Sequence, residues 1–261
     1  MSDPVNVSDR DQVRWIELCR PESRNALTVE TNRVLIAALE GAAAAGARTV
    51  VLAGAGGHFC SGLDLKDAIR TGPRPPAEVE RDMRAYFHGL IRAVRAVPAP
   101  VVAAVDGVAV GYGCDLALAC DLRLVTERAR FGEIFVRRGL MPDGGGTFTL
   151  PRLVGLGRAL ELMFTGDLVE GGEAVRIGLA SRLLPTEGFE QAVREHAVRL
   201  AKGPPLVLRA IKRAVYESLA GDLDAALERE AAGQLQLLTS ADFVEGVAAF
   251  LQKREPVFRG K

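Results

Sequence analysis

Apolar positions along this chain follow two rhythms. Short continuous apolar runs at 13–18, 49–53, 101–105 and 121–126 predict buried strands. A shorter run at 5–7 precedes the first of these, with the polar turn 8–11 between them. Elsewhere the apolar residues fall three and four apart. Val34, Leu35, Ala38 and Leu39 predict one amphipathic helix over about 28–46, and Met83, Phe87, Leu90, Ile91 and Val94 predict another over 77–97. Thr28 stands where an N-cap belongs, and Pro98 and Pro100 end the second helix. A glycine-rich loop occupies 54–62, and Pro73, Pro75 and Pro76 mark a mobile connector. Two short helices are expected at 145–153 and 158–164, and a last strand at 180–184. Beyond 186 the pattern is helical throughout, at 189–202, 205–219, 223–238 and 241–254, with Thr239 and Asp242 as a capping pair for the last. Strand–helix alternation followed by helices predicts an α/β body of parallel strands over 1–185 and a helical region over 186–261. The helical region has an apolar stripe that must be buried against the body or another subunit.

One segment carries more than periodicity. Val101 to Asp121 runs from an apolar strand through Asp106-Gly107 to a second glycine pair, Gly111 and Gly113, which opens an alanine- and leucine-rich helix. The first turn of a helix has N–H groups with no internal partner, and their dipoles attract negative charge. Glycine beside that turn lets a ligand approach the backbone. The segment is suited to hold an anion, or an oxygen that becomes one.

The bulk numbers remove other classes of function. The 261 residues carry 33 Lys and Arg against 33 Asp and Glu, so nothing favours nucleic acid or a membrane surface. No apolar run is long enough to span a bilayer, and the polar N-terminus does not read as a signal peptide. The four cysteines form no CxxC pair and sit in apolar runs, as reduced thiols of a cytoplasmic protein do. The three histidines lack ligand spacing, so no metal site is expected. The glycines at 54–57 fail as a dinucleotide fingerprint because Phe59 stands where a glycine is needed. A phosphate-binding GK[ST] loop and a G-x-S-x-G elbow are both absent.

Two motifs in order resemble the crotonase superfamily, which includes enoyl-CoA hydratases and isomerases. His58-Phe59-Cys60-Ser61-Gly62-Leu63-Asp64-Leu65-Lys66 is similar to its first glycine loop, and 102–121 to its second. Arg20-Pro21, Asn25-Ala26-Leu27, the run 139–147 and the tail 249–254 fit as well. The resemblance implies a spiral of β-β-α units with a C-terminal helical trimerisation region, assembled as a homotrimer or a dimer of trimers. It implies an acyl-CoA thioester substrate, with CoA part of the substrate and no separate cofactor. It further implies an enolate held by two backbone N–H groups, which by position belong to Leu63 and Tyr112. Ala26, Gly62, Asp64, Lys66, Gly111, Phe135, Phe250 and Lys253 fall at positions the resemblance assigns to CoA or substrate, the two lysines toward the CoA phosphates.

The chain also departs from the pattern. Hydratases of this kind place two glutamates about one water. The corresponding positions here are Asp115 and Phe135, and a phenylalanine accepts no proton. Glu133 lies two positions off and is expected to point elsewhere. Asp143 stands where a small glycine is usual, and some double-bond isomerases of the superfamily carry an aspartate there. The reading is therefore an enoyl-CoA isomerase with Asp143 as acid/base and Asp115 secondary. A hydratase with an altered acid/base pair and a non-catalytic acyl-CoA-binding member stay open. Tyr112 stands where glycine is usual, and packing is its default role.

Overall fold

The computed structural model describes residues 3–261. Strands β1 (Val5–Arg10) and β2 (Val13–Leu18) form an antiparallel hairpin. Its turn residues, Asp11 and Gln12, both have positive φ, the geometry that matches the twist of the flanking strands. Helix α1 (Val29–Glu40) starts at Thr28, whose hydroxyl accepts from the Thr31 N–H. It buries Leu35 and Leu39 as its periodicity predicts and stops short of 46.

Strand β3 (Thr49–Gly54) leads through the glycine loop to a helix missed by the periodicity, α2 (Leu65–Thr71). The helix expected over 77–97 is three pieces: α3 (Pro76–Asp82), a π turn over Met83–Phe87, and α4 (His88–Ala96). Pro76 opens α3, the helical position that needs no N–H donor.

The apolar run from 101 is two strands. β4 (Val101–Val105) and β5 (Val108–Val110) turn a corner at Asp106-Gly107 and enter different sheets. Helix α5 (Tyr112–Ala119) follows, every residue of it buried. Strands β6 (Leu122–Val125) and β7 (Arg130–Gly132) repeat the pattern. Helices α6 (Gly146–Val154) and α7 (Leu156–Thr165), strand β8 (Val169–Glu170), helix α8 (Gly171–Arg176) and strand β9 (Arg182–Leu183) complete the body.

The larger sheet has the order β1-β2-β3-β4-β6-β9, parallel from β2 onward. The smaller one is β5-β7-β8, to which Cys60 adds a single bridge with Ala109. Successive turns of the chain thus give one strand to the large sheet, a short segment to the small one, and a helix. This is the β-β-α spiral the resemblance implies.

The tail is α9 (Phe189–Ala201), α10 (Pro205–Ser218), α11 (Leu223–Leu238) and α12 (Ala241–Gln252). The helical region beyond 186 buries its first stripe against the body, one of the two alternatives expected for it. Val193, Ala197 and Ala201 of α9 share a buried cluster with Trp15, Val51, Val102 and Leu124 of the large sheet. The expected cap of α12 is corrected. Ser240, not Thr239, accepts from the Phe243 N–H, while Asp242 accepts from Arg259 and Gly260.

Helix α10 is tied to the body at Asp121, which accepts from Lys212, from the Tyr216 hydroxyl at 2.6 Å and from the Val101 N–H at 2.7 Å. Neither α10 nor α11 has a buried residue.

Candidate active site

The two glycine segments meet side by side. Cys60 and Val110 exchange backbone bonds with their neighbours across the Cys60–Ala109 bridge, Cys60 N–H to Val108 and Val110 N–H to Cys60. Leu27 pairs with the next stretch, donating to the Gly62 carbonyl and accepting from the Asp64 N–H. That pairing uses the groups on either side of Leu63 and leaves the Leu63 N–H without a protein acceptor among the described residues. Tyr112 is the first residue of α5, so its N–H lacks a helical partner. Gly111 precedes it at φ 55° and ψ −131°, a conformation only glycine adopts without strain. A Cβ on Gly62 would stand 3.2 Å from the Tyr112 nitrogen. Both free N–H groups therefore belong to adjoining backbone at one place.

That place opens on a cavity of about 320 Å³, within the range of small-ligand sites. Gly62, Leu63, Gly111, Tyr112, Phe135 and Asp143 all line it, as do Phe87 and Leu140. Asp64, Asp67, Asp82 and Asp143 are the carboxylates on the wall. Three of them are engaged by arginines: Asp64 by Arg20 at 2.8 Å, Asp67 by Arg70 at 2.8 Å, and Asp82 by Arg74. Asp64 also caps α2 by accepting from the Asp67 N–H. Burial pushes the Asp64 carboxyl up, but Arg20 and the helix N–H groups outweigh this and hold it below the usual range. The Arg74 guanidinium likewise holds Asp82 below that range.

Asp143 differs from all three. Its Oδ1 is buried with no partner among the described residues. Burial raises its pKa above the usual carboxylate range, with the nearby His88 imidazole opposing the rise.

The remaining expected residues separate into two groups. Asp115 is 1% exposed and does not reach the wall. Its Oδ2 accepts from the Gly144 N–H at 2.8 Å, so it sits behind the Asp143 turn rather than on the wall, where a secondary catalytic role was expected of it. Ala26 is buried as well; its carbonyl accepts from Arg20, and the wall there is Leu27 to Val29. Lys66 on α2 is exposed and off the wall, as are Phe250 on α12 and Lys253 at its C-cap.

Tyr112 has a defined contact. Its hydroxyl donates to the Phe87 carbonyl at 2.6 Å, and its ring meets the Phe87 ring edge-on at 5.1 Å. Burial, then the Asp115 charge, keeps the phenol protonated as a donor. Because Phe87 ends the π turn, this bond ties the helix over the cavity to the helix that carries the N–H group. Tyr112→Phe is expected to cost about 0.5–1.5 kcal/mol of stability, read as a lower midpoint in denaturant unfolding with an unchanged slope.

His88 and Glu133 are site neighbours that the sequence did not single out. His88 falls on an otherwise ordinary helix. Glu133, expected to point elsewhere, is off the cavity wall; it is 1% exposed and packs against Asp115 and Cys114.

A family model for enoyl-CoA hydratase/isomerase matches residues 9–261. The chain belongs to the enoyl-CoA hydratase/isomerase family. Among its similar relatives is a Rhodobacter capsulatus protein named probable enoyl-CoA hydratase, 43% identical over 246 residues, covering 94% of each chain. The 1,2-epoxyphenylacetyl-CoA isomerase of Escherichia coli is 35% identical over 252 residues, covering 95% of each. The solved structure of an enoyl-CoA hydratase from Bacillus anthracis superposes with a TM-score of 0.93 at 33% identity, covering 99% of this chain and 100% of that one. Family membership thus fixes the fold and the enzyme family, and both hydratases and isomerases stand among the relatives.

Proposed function

We propose that the protein is an acyl-CoA thioester isomerase that moves a carbon–carbon double bond from the 3 to the 2 position, with Asp143 as the proton carrier. The observation that carries this is Asp143 itself. It is the carboxylate on the cavity wall without an arginine partner, and it shares that wall with the two free N–H groups. Phe135, where the resemblance expects a second glutamate, presents a ring to the cavity instead.

In this reading the thioester oxygen accepts from the Leu63 and Tyr112 N–H groups. The Asp143 carboxylate takes a proton from the carbon beside the thioester. The electron pair moves onto the thioester oxygen as an enolate, and the fixed N–H dipoles stabilise that charge more than they stabilise the ground state. The conjugate acid of Asp143 then returns the proton to the γ carbon as the double bond forms between the α and β carbons. One carboxylate serves as base and then acid, and no water is consumed. A pKa raised by burial suits both halves.

Incubating a 3-enoyl-CoA with the enzyme in deuterated water is expected to give the 2-enoyl-CoA. No turnover would refute the isomerase reading. The hydratase reading draws on the Rhodobacter relative; its mark is loss of 2-enoyl-CoA absorbance on adding enzyme.

A homotrimer is part of the same proposal. Ile211, Val215, Leu223, Leu235, Val244 and Phe250 leave an exposed apolar face on α10 to α12, more than isolated surface residues account for. Three copies meeting through these helices would cover it and bring Phe250 and Lys253 near a neighbour's site. Light scattering at micromolar concentration is expected to give three times the 27.8 kDa chain mass, or six. A monomer would refute it.

A further inference from the structure

The turn that carries Asp143 rests on two buried carboxyls that the proposed proton transfer does not use. Asp115 on α5 and Glu133 after β7 are each 1% exposed, and neither lines the cavity. Asp115 Oδ2 accepts from the Gly144 N–H at 2.8 Å, one residue beyond Asp143. Gly146 lies against both acids. A Cβ there would stand 2.3 Å from Asp115 Oδ1 and 3.0 Å from Glu133 Oε1, so the glycine lets both carboxyls close on the same stretch of backbone.

The remaining oxygens are unusual. Asp115 Oδ1 and both Glu133 oxygens are buried with no hydrogen-bond partner among the described residues. Leaving such atoms unpaired is costly. Among the described residues no cation acts on either acid. The other titratable groups facing them are the Tyr112 phenol and the Cys114 thiol of α5, both kept protonated by burial, and Asp143, which His88 of α4 faces in turn. Two carboxylates in such surroundings do not both ionise. Burial raises both, so they titrate as a pair rather than as separate residues.

We propose that Glu133 is a positioning residue: it shares one proton with Asp115, and the resulting acid–carboxylate pair fixes the turn that presents Asp143 to the cavity. The inference rests on the reading of Asp143 as proton carrier. A shared proton pairs Asp115 Oδ1 with one Glu133 oxygen and leaves a single negative charge. The Gly144 N–H and the first turn of α5 stabilise that charge. Asp115 then holds Gly144 firmly, and Asp143 with it. Glu133 touches no substrate; it acts through Asp115.

The test uses the full-length enzyme, infrared difference spectra and turnover of a 3-enoyl-CoA. At neutral pH the wild type is expected to show the C=O band of a protonated carboxyl. That band disappears in Glu133→Gln and persists in Asp143→Asn. The Gln side chain is neutral and can hydrogen-bond to Asp115 as the protonated acid does, so Glu133→Gln keeps kcat within about threefold. Glu133→Ala lowers kcat at least about tenfold with little change in KM, because the turn loses its support. A band that survives in Glu133→Gln, or a Gln variant as slow as the Ala variant, would overturn the proposal. Should Glu133→Ala fail to fold, the Gln variant and its spectrum still decide. If the wild type turns over no 3-enoyl-CoA, the isomerase reading falls, while the band continues to test the shared proton.

Discussion

Replacing Asp143 by asparagine is expected to lower kcat for double-bond transfer by roughly 10²–10⁴-fold, the usual contribution of a positioned acid/base. Asparagine keeps the size and the turn but accepts no proton. No other carboxylate is placed to substitute. Asp64, Asp67 and Asp82 are held by arginines, and Asp115 lies behind Gly144. KM is expected to change little, since the N–H groups and the cavity wall remain. The wild-type pH profile follows from the same residue. Its pKa is raised, first by burial, so the reactive carboxylate form is lost as pH falls through a value above the ordinary carboxylate range. The acid limb of kcat/KM should therefore lie at higher pH than for an exposed aspartate, with activity rising as pH increases through it. The limb should be absent from the residual activity of Asp143→Asn. A variant with wild-type rate would remove Asp143 from the mechanism.

Gly113→Ala is expected to reduce both stability and turnover. A Cβ there would stand 2.3 Å from the Cys60 carbonyl oxygen and 2.8 Å from its carbon. Both partners are buried backbone, so neither a rotamer change nor solvent relieves the overlap. Overpacking of this kind costs about 1–3 kcal/mol. The relief available is to push α5 away from the 60–64 segment, which separates the Tyr112 N–H from the Leu63 N–H. A misplacement on the order of 1 Å costs roughly 10²-fold in rate. The fall should appear in kcat, because the N–H pair acts on charge that develops only during reaction. Gly233→Ala on α11 is the control. It meets nothing within 4 Å, and removing a glycine from a helix interior stabilises by about 0.5–1 kcal/mol. If both substitutions leave stability and kcat alike, close approach at Gly113 is not what aligns the N–H groups.

Both expectations depend on the same layout, and its parts were unequally visible in the sequence. The long strands and helices were legible because their apolar spacing matches the faces they bury. Leu35 and Leu39 turn inward on α1, and β4 is buried along its whole length. Several short elements were not. Strand β5, strand β7 and helix α2 span three, three and seven residues, too few for a period to emerge. The glycine segments pointed to backbone N–H groups without helical partners, since helix starts and glycine corners are local properties. What α9 packs against was not legible, because an amphipathic stripe says that a face is buried but not against what.

Sequence alone thus determined the family resemblance, the parallel α/β body, the two glycine segments and the presence of an aspartate at 143. These follow from local spacing and residue type. Only the tertiary structure decided which acids matter and how. Asp115 and Glu133 lie 18 positions apart in the chain, and β7 and the Asp143 turn bring them together behind one stretch of backbone. Asp64 is paired by Arg20 from a distant segment and Asp67 and Asp82 by arginines close by in the chain, while Asp143 has no arginine partner among the described residues. Tyr112 acquires its partner from a π turn 25 residues away. The chemistry of a carboxyl depends on burial and on its neighbours in space, which is why the residues were readable in order but their roles were not.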